Sequence, residues 1–133
     1  MEVSETQSTA VTRGIKVEVQ SRFAPERTEP AKGAYCFVYQ VRLTNESSET
    51  VQLMSRYWVI TDANGRIEEV QGAGVVGEQP VLEPGESYDY SSFCPLDTTE
   101  GVMQGAYQMV TADGEQFDVV IAPFALNRDE ALH

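Results

Sequence analysis

Histidine is nearly missing from this chain: the single one, His133, is the last residue. Without an internal imidazole, Ser-His-Asp and Cys-His nucleophilic catalysis lack their base, and the commonest transition-metal ligand is lacking too. Cysteine is scarce as well, with Cys36 and Cys94 able to form one bond at most. Met1-Glu-Val-Ser-Glu5 carries neither the basic region nor the apolar stretch of an export signal. The expected compartment is therefore the reducing cytoplasm, and the expected state is two free thiols. No apolar run approaches the ~18–20 residues that a membrane span needs. Bases are few: 9 Lys and Arg stand against 21 Asp and Glu, for a net charge of −12. Residues 1–33 are balanced, whereas between Thr44 and Asn127 the only bases are Arg56 and Arg66. A surface of that sign repels phosphate backbones, so nucleic acid is not expected as a direct partner.

What is present is alternation. A chain of 133 residues is the length of one domain, with a core expected over about residues 14–126 and flexible segments at 1–13 and 127–133. Ile15, Val17 and Val19 alternate with Lys16, Glu18 and Gln20, the period of a half-buried strand. The prolines and charges of residues 24–33 predict a loop. Tyr35, Phe37, Tyr39, Val41 and Leu43 then share one face of a second strand. From Val51 to Thr61 the phase is broken: Val51 and Leu53 disagree with Trp58 and Ile60. Either a bulge near Met54–Arg56 shifts the register or both faces are covered. Asn64-Gly65 predicts a tight hairpin with positive φ angles, and Ile67–Gln71 a return strand whose Glu68 and Glu69 guard an edge. Gln79–Leu82 predicts a short strand, and Pro84-Gly85 the centre of a type II turn. Ser87–Phe93 is a strand followed by a loop from Cys94 to Gly101. Met103 to Met109, a turn at Asp113-Gly114, and Phe117 to Ile121 complete the series. Turn signals every 8–12 residues without a helical segment predict an all-β fold, a fibronectin type III/immunoglobulin-like β-sandwich of seven to eight antiparallel strands.

Gly72-Ala-Gly74-Val-Val-Gly77 matches the G-x-G-x-x-G dinucleotide fingerprint. That motif works by launching a helix whose first amides and dipole hold a pyrophosphate. Glu78-Gln79-Pro80 and Pro84-Gly85 leave a helix no room here, and Glu78 opposes an anion. The glycines read instead as a sharply turning loop. Metal-ligand patterns are missing: Glu68 and Glu69 point to opposite faces of a strand, and Asp97-Thr-Thr-Glu100 offers only what many acidic loops offer. No metal site and no cofactor are expected.

The stretches Arg56-Tyr-Trp-Val-Ile-Thr-Asp62 and Glu69 through Glu86, with Tyr88-Asp-Tyr-Ser91, Gly101 through Met109 and Ile121-Ala-Pro-Phe-Ala-Leu126, resemble the ApaG family. The likeness covers roughly residues 14–133. It implies a fibronectin type III-like sandwich and a cytoplasmic bacterial protein, linked in enteric relatives to cobalt resistance and magnesium efflux. It also implies a protein-interaction role, as in related eukaryotic domains. Many relatives place histidine where this chain has Ala106, so a transition-metal role loses its one internal imidazole. The expected function is thus a non-enzymatic binding module for a protein partner. The expected contact surface is a sheet face or the glycine-rich loop, with Gly72, Gly74, Val75, Val76, Gly77, Gln79 and Pro80 as the candidate binding residues. The alternative is a small-ligand binder for a divalent cation or a phosphorylated metabolite. Oligomeric state is left open.

Overall fold

In the computed structural model, which describes residues 3–128, strands build the fold. In chain order they are β1 (Gln7–Thr12), β2 (Ile15–Phe23), β3 (Tyr35–Asn45), β4 (Val51–Asp62), β5 (Ile67–Ala73), β6 (Val81–Leu82), β7 (Ser87–Leu96), β8 (Glu100–Thr111) and β9 (Gln116–Asn127). All the pairings are antiparallel. One sheet has the order β1-β2-β3-β7, the other β5-β4-β8-β9 with β6 added on β4. Two layers of antiparallel sheet, each with an apolar inner face, make the expected sandwich, with nine strands among the described residues against the seven to eight expected.

Alternation explains which side faces in. Ile15, Val17 and Val19 of β2 and Phe37, Tyr39, Val41 and Leu43 of β3 are buried. The phase problem in β4 is a bulge: the register with β8 shifts between Leu53 and Ser55. Leu53 before it and Trp58 and Ile60 after it therefore all reach the core. Trp58 sits at the centre, edge-on to Tyr39 at 5.2 Å, Phe124 at 6.0 Å and Tyr107 at 6.4 Å. Burying a large apolar side chain contributes roughly 1.5–3 kcal/mol. Asn45, fully buried, ties the turn after β3 together. Its Nδ2 donates to the carbonyls of Glu49 (2.7 Å) and Leu82 (2.9 Å), while its Oδ1 accepts from the Ser47 amide at 2.9 Å.

Several expectations are corrected. Residues 7–12 are not a flexible segment but β1, an edge strand whose Gln, Ser, Thr and Ala residues carry no apolar alternation and whose one valine, Val11, points outward. Residues 129–133 lie outside the described residues. The loop expected from Cys94 belongs in its first part to β7, which runs through Pro95 to Leu96. Because β7 is the last strand of its sheet, a missing N–H is tolerated there. β9 likewise continues past Pro123 to Asn127, with Ala122 and Pro123 in a bulge opposite Gln104. The loop at 24–33 contains two single-turn 3-10 helices, Pro25–Arg27 and Pro30–Lys32. The Asn64-Gly65 hairpin is looser than a two-residue turn: Gly65 alone has positive φ (82°), and Asp62 accepts the amides of Asn64 and Arg66 on its side chain. Gly85 at φ 88° fits the expected type II turn.

Candidate functional site

The glycine-rich segment is the candidate that the sequence singles out, and the structure shows how it is held. Gly72 lies inside β5, opposite Arg56 of β4. Gly74 leaves the strand in the left-handed region at φ 64°, and a Cβ there would lie 2.3 Å from the Glu78 carbonyl oxygen. Val75 and Glu78 form a two-way pair: the Val75 amide donates to the Glu78 carbonyl at 2.8 Å, and the Glu78 amide returns the bond at 2.9 Å. Between them Val76 (φ 48°) and Gly77 (φ 81°) both have positive φ, the pattern of a type I′ turn. The segment is a miniature hairpin. The Gly74 amide also donates, to the Met54 carbonyl at 2.9 Å. Three amides that a phosphate cradle would need are thus spent on main-chain carbonyls, and no α-helix follows among the described residues.

Side chains brace this hairpin against the bulge in β4. Gln79 Nε2 donates to the Met54 carbonyl at 2.9 Å and Gln52 Nε2 to the Gln79 carbonyl at 3.1 Å. Arg56 Nη1 donates to the carbonyls of Ala73 (3.1 Å) and Gly74 (2.9 Å). Its guanidinium occupies the place where a Gly72 side chain would start, 2.8 Å from an ideal Cβ. Composition alone marks Arg56 as one of two bases in a long acidic stretch; that it binds the glycine segment emerges only when β4 and β5 pair. Of the candidate residues, Val75 is fully buried in the core and cannot touch a partner. Val76 is 63% exposed, and two other exposed apolar residues, Val81 and Met54, lie on neighbouring segments. The left-handed backbone of Val76 has no sequence signal, since β-branched residues avoid that region. Such strain persists only where the surrounding bonds over-determine it.

The remaining polar candidates separate. Glu69 accepts the Tyr57 hydroxyl at 2.7 Å, whereas Glu68 stands opposite Ile60 on the inward side of β5. Asp97 pairs with Arg66 at 3.4 Å rather than joining Glu100. Among the described residues, no group of three or more His, Cys, Asp or Glu side chains converges to hold a metal ion. His133 lies outside the described residues. Cys36 and Cys94 are both free, on adjacent strands but opposite faces. Burial, with the negative charge of Glu68 adding to it, pushes the Cys94 thiol up to about 12. Burial likewise raises the hydroxyls of Tyr90 and Tyr107, which hydrogen-bond to each other beside Trp58. None of these groups is poised to act as a nucleophile or base near neutral pH. No helix among the described residues is long and apolar enough to cross a membrane.

The ApaG domain family, DUF525, matches residues 25–111. A protein named ApaG from Brucella canis is 57% identical over 121 residues, covering 91% of this chain and 93% of its own length. Another, from Anaeromyxobacter dehalogenans, is 57% identical over 119 residues, covering 90% and 94%. A crystal structure of a Bordetella pertussis protein assigned the name ApaA superposes with a TM-score of 0.83 at 42% identity, covering 94% of this chain and 97% of that one. The family match and these likenesses, over a shared fold, show that the chain belongs to the ApaG family.

Proposed function

We propose that this chain is a non-enzymatic binding module that docks a protein partner through the tip of the glycine hairpin. In this reading it acts in the cytoplasm, and its effect on cobalt and magnesium homeostasis is exerted through that partner. The observation that carries the reading is Val76: a valine held exposed in left-handed backbone, on a hairpin braced by Arg56, Gln79 and Gln52. A rigid apolar tip contributes contact area without ordering entropy on binding. Exposed Val81 and Met54 supply further apolar surface. Of the alternative, a small-ligand binder for a divalent cation or a phosphorylated metabolite, the phosphorylated ligand on this loop loses support because the amides of Gly74, Val75 and Glu78 are already paired.

Photo-crosslinking in cells tests the proposal. A photoreactive residue at position 76 is expected to yield a discrete protein adduct that Val81→Asp abolishes. The same residue at position 11, also exposed but on β1, is expected to yield none. An identical adduct pattern from both positions would refute docking at the hairpin.

A further inference from the structure

The two long sides of the sandwich are unlike. Along one, β1 and β9 are stitched together. Ser8 Oγ donates to the Ala122 carbonyl at 2.8 Å, the Ala125 amide to the Glu5 carbonyl at 2.6 Å, and the Val120 amide to Thr12 Oγ1 at 3.2 Å. Along the other, the terminal strands β5 and β7 stay apart, and a cavity of about 230 Å³ opens between them. Ile60 and Leu96, both less than a tenth exposed, form its floor, and exposed Ile67 and Pro95 stand on its rim, so four apolar side chains line it beside four charged ones. Its volume falls below the roughly 300 Å³ at which small-molecule sites begin. It is the size of a single side chain.

The charged lining has a definite balance. Arg66 is already paired with Asp97 at 3.4 Å, and one oxygen of Asp62 accepts the main-chain amides of Asn64 and Arg66. Asp62 and Glu68 therefore keep uncompensated charges, and of the two only Glu68 has neither a hydrogen bond nor an ion pair among the described residues. An inward-facing charge on an edge strand also discourages edge-to-edge pairing. That device requires no cavity and no apolar wall, and this site has both. We propose that the cavity is a docking pocket for one apolar side chain of a protein partner, flanked in the partner by lysine or arginine. The apolar group rests on Ile60 and Leu96, and the neighbouring cation reaches Glu68. Charge complementarity selects this partner, since the chain carries −12 overall and the pocket's one base is already engaged. The surface is separate from the glycine hairpin, and either can fail without the other.

The test is a titration of the isotope-labelled full chain with capped tripeptides, followed by amide NMR shifts. Acetyl-Lys-Leu-Lys-amide is expected to move, saturably, the amides of residues 60–68 and 94–97. Glu68→Gln is expected to weaken binding about fivefold with the fold intact. Acetyl-Glu-Leu-Glu-amide and acetyl-Lys-Ser-Lys-amide are each expected to bind about tenfold more weakly than the Lys-Leu-Lys peptide. Equal binding of all three peptides, shifts outside those residues, or no effect of Glu68→Gln would each overturn the proposal. Val76→Asp is expected to leave the titration unchanged; loss of binding on that change would place the peptide on the hairpin and refute the pocket.

Discussion

Alanine at each of the three glycines separates a braced hairpin from a generic flexible loop, because the structure assigns each a different cost. Gly77 has φ 81° and open space around its Cβ position. A side chain in left-handed backbone costs roughly 1–2 kcal/mol, and removing glycine's extra unfolded entropy offsets about 0.5–1 kcal/mol of that. Gly77→Ala is therefore expected to lose only about 1 kcal/mol. Gly74→Ala meets the same backbone penalty and places its Cβ 2.3 Å from the Glu78 carbonyl oxygen. Relieving that overlap means parting the Val75–Glu78 pair with its two hydrogen bonds. Each of these contributes about 1 kcal/mol, for a total near 3 kcal/mol. Gly72→Ala has no φ penalty but pushes the Arg56 guanidinium off the carbonyls of Ala73 and Gly74. Losing such charge-assisted bonds costs about 2–3 kcal/mol. Removing glycine's extra unfolded entropy offsets about 0.5–1 kcal/mol of that, leaving a loss of about 2 kcal/mol. Urea unfolding at constant m-value reads the series directly. The expected order of loss is Gly74, then Gly72, then Gly77. A Gly77→Ala protein as unstable as Gly74→Ala would refute the closed-hairpin reasoning.

Other predictions rest on the core and its thiols. Asn45→Ala strands the buried Leu82 carbonyl and undoes the Asn45–Ser47 turn, so a loss of about 2–4 kcal/mol is expected by urea unfolding. Val76→Gly is expected to raise stability by up to about 1 kcal/mol, since relief of left-handed strain exceeds glycine's entropic cost; a lowered melting temperature would contradict it. At about pH 8 a thiol reagent is expected to label Cys36, which is partly exposed, and to spare buried Cys94 until the protein unfolds. The folded state keeps the Cys94 proton up to about 12, whereas an exposed thiol releases it near 8.5. The stability contributed by that proton is whole below about pH 8.5 and falls as pH rises toward 12. Burial of Tyr39, Tyr90 and Tyr107 acts with the same sign. Urea midpoints are therefore expected to drop across the alkaline range, and a rising midpoint would contradict the buried-thiol assignment.

Where burial is one-sided and regular, the sequence alone is readable. β2 and β3 follow from their alternation, and the β4 bulge from the phase conflict between Leu53 and Trp58. Where an edge strand buries little, as in β1, or a proline sits at an edge or in a bulge, as Pro95 and Pro123 do, local signals point the wrong way. There, long-range pairing decides. The candidate site divides in the same manner. That the glycines turn without a helix was legible from Pro80 and Pro84. That Val75 is core and that Arg56 binds the carbonyls of Ala73 and Gly74 depend on β4 meeting β5, which no local pattern encodes. The left-handed Val76 is hidden because β-branched residues avoid that region.

Amide NMR of the glycine segment with inorganic pyrophosphate tests the central claim most directly. With the amides of Gly74, Val75 and Glu78 bonded to carbonyls, their hydrogen exchange is expected to be slow, and millimolar pyrophosphate is expected to leave their shifts in place. Fast exchange at these three amides, with saturable shifts across residues 72–79 on adding pyrophosphate, would contradict it.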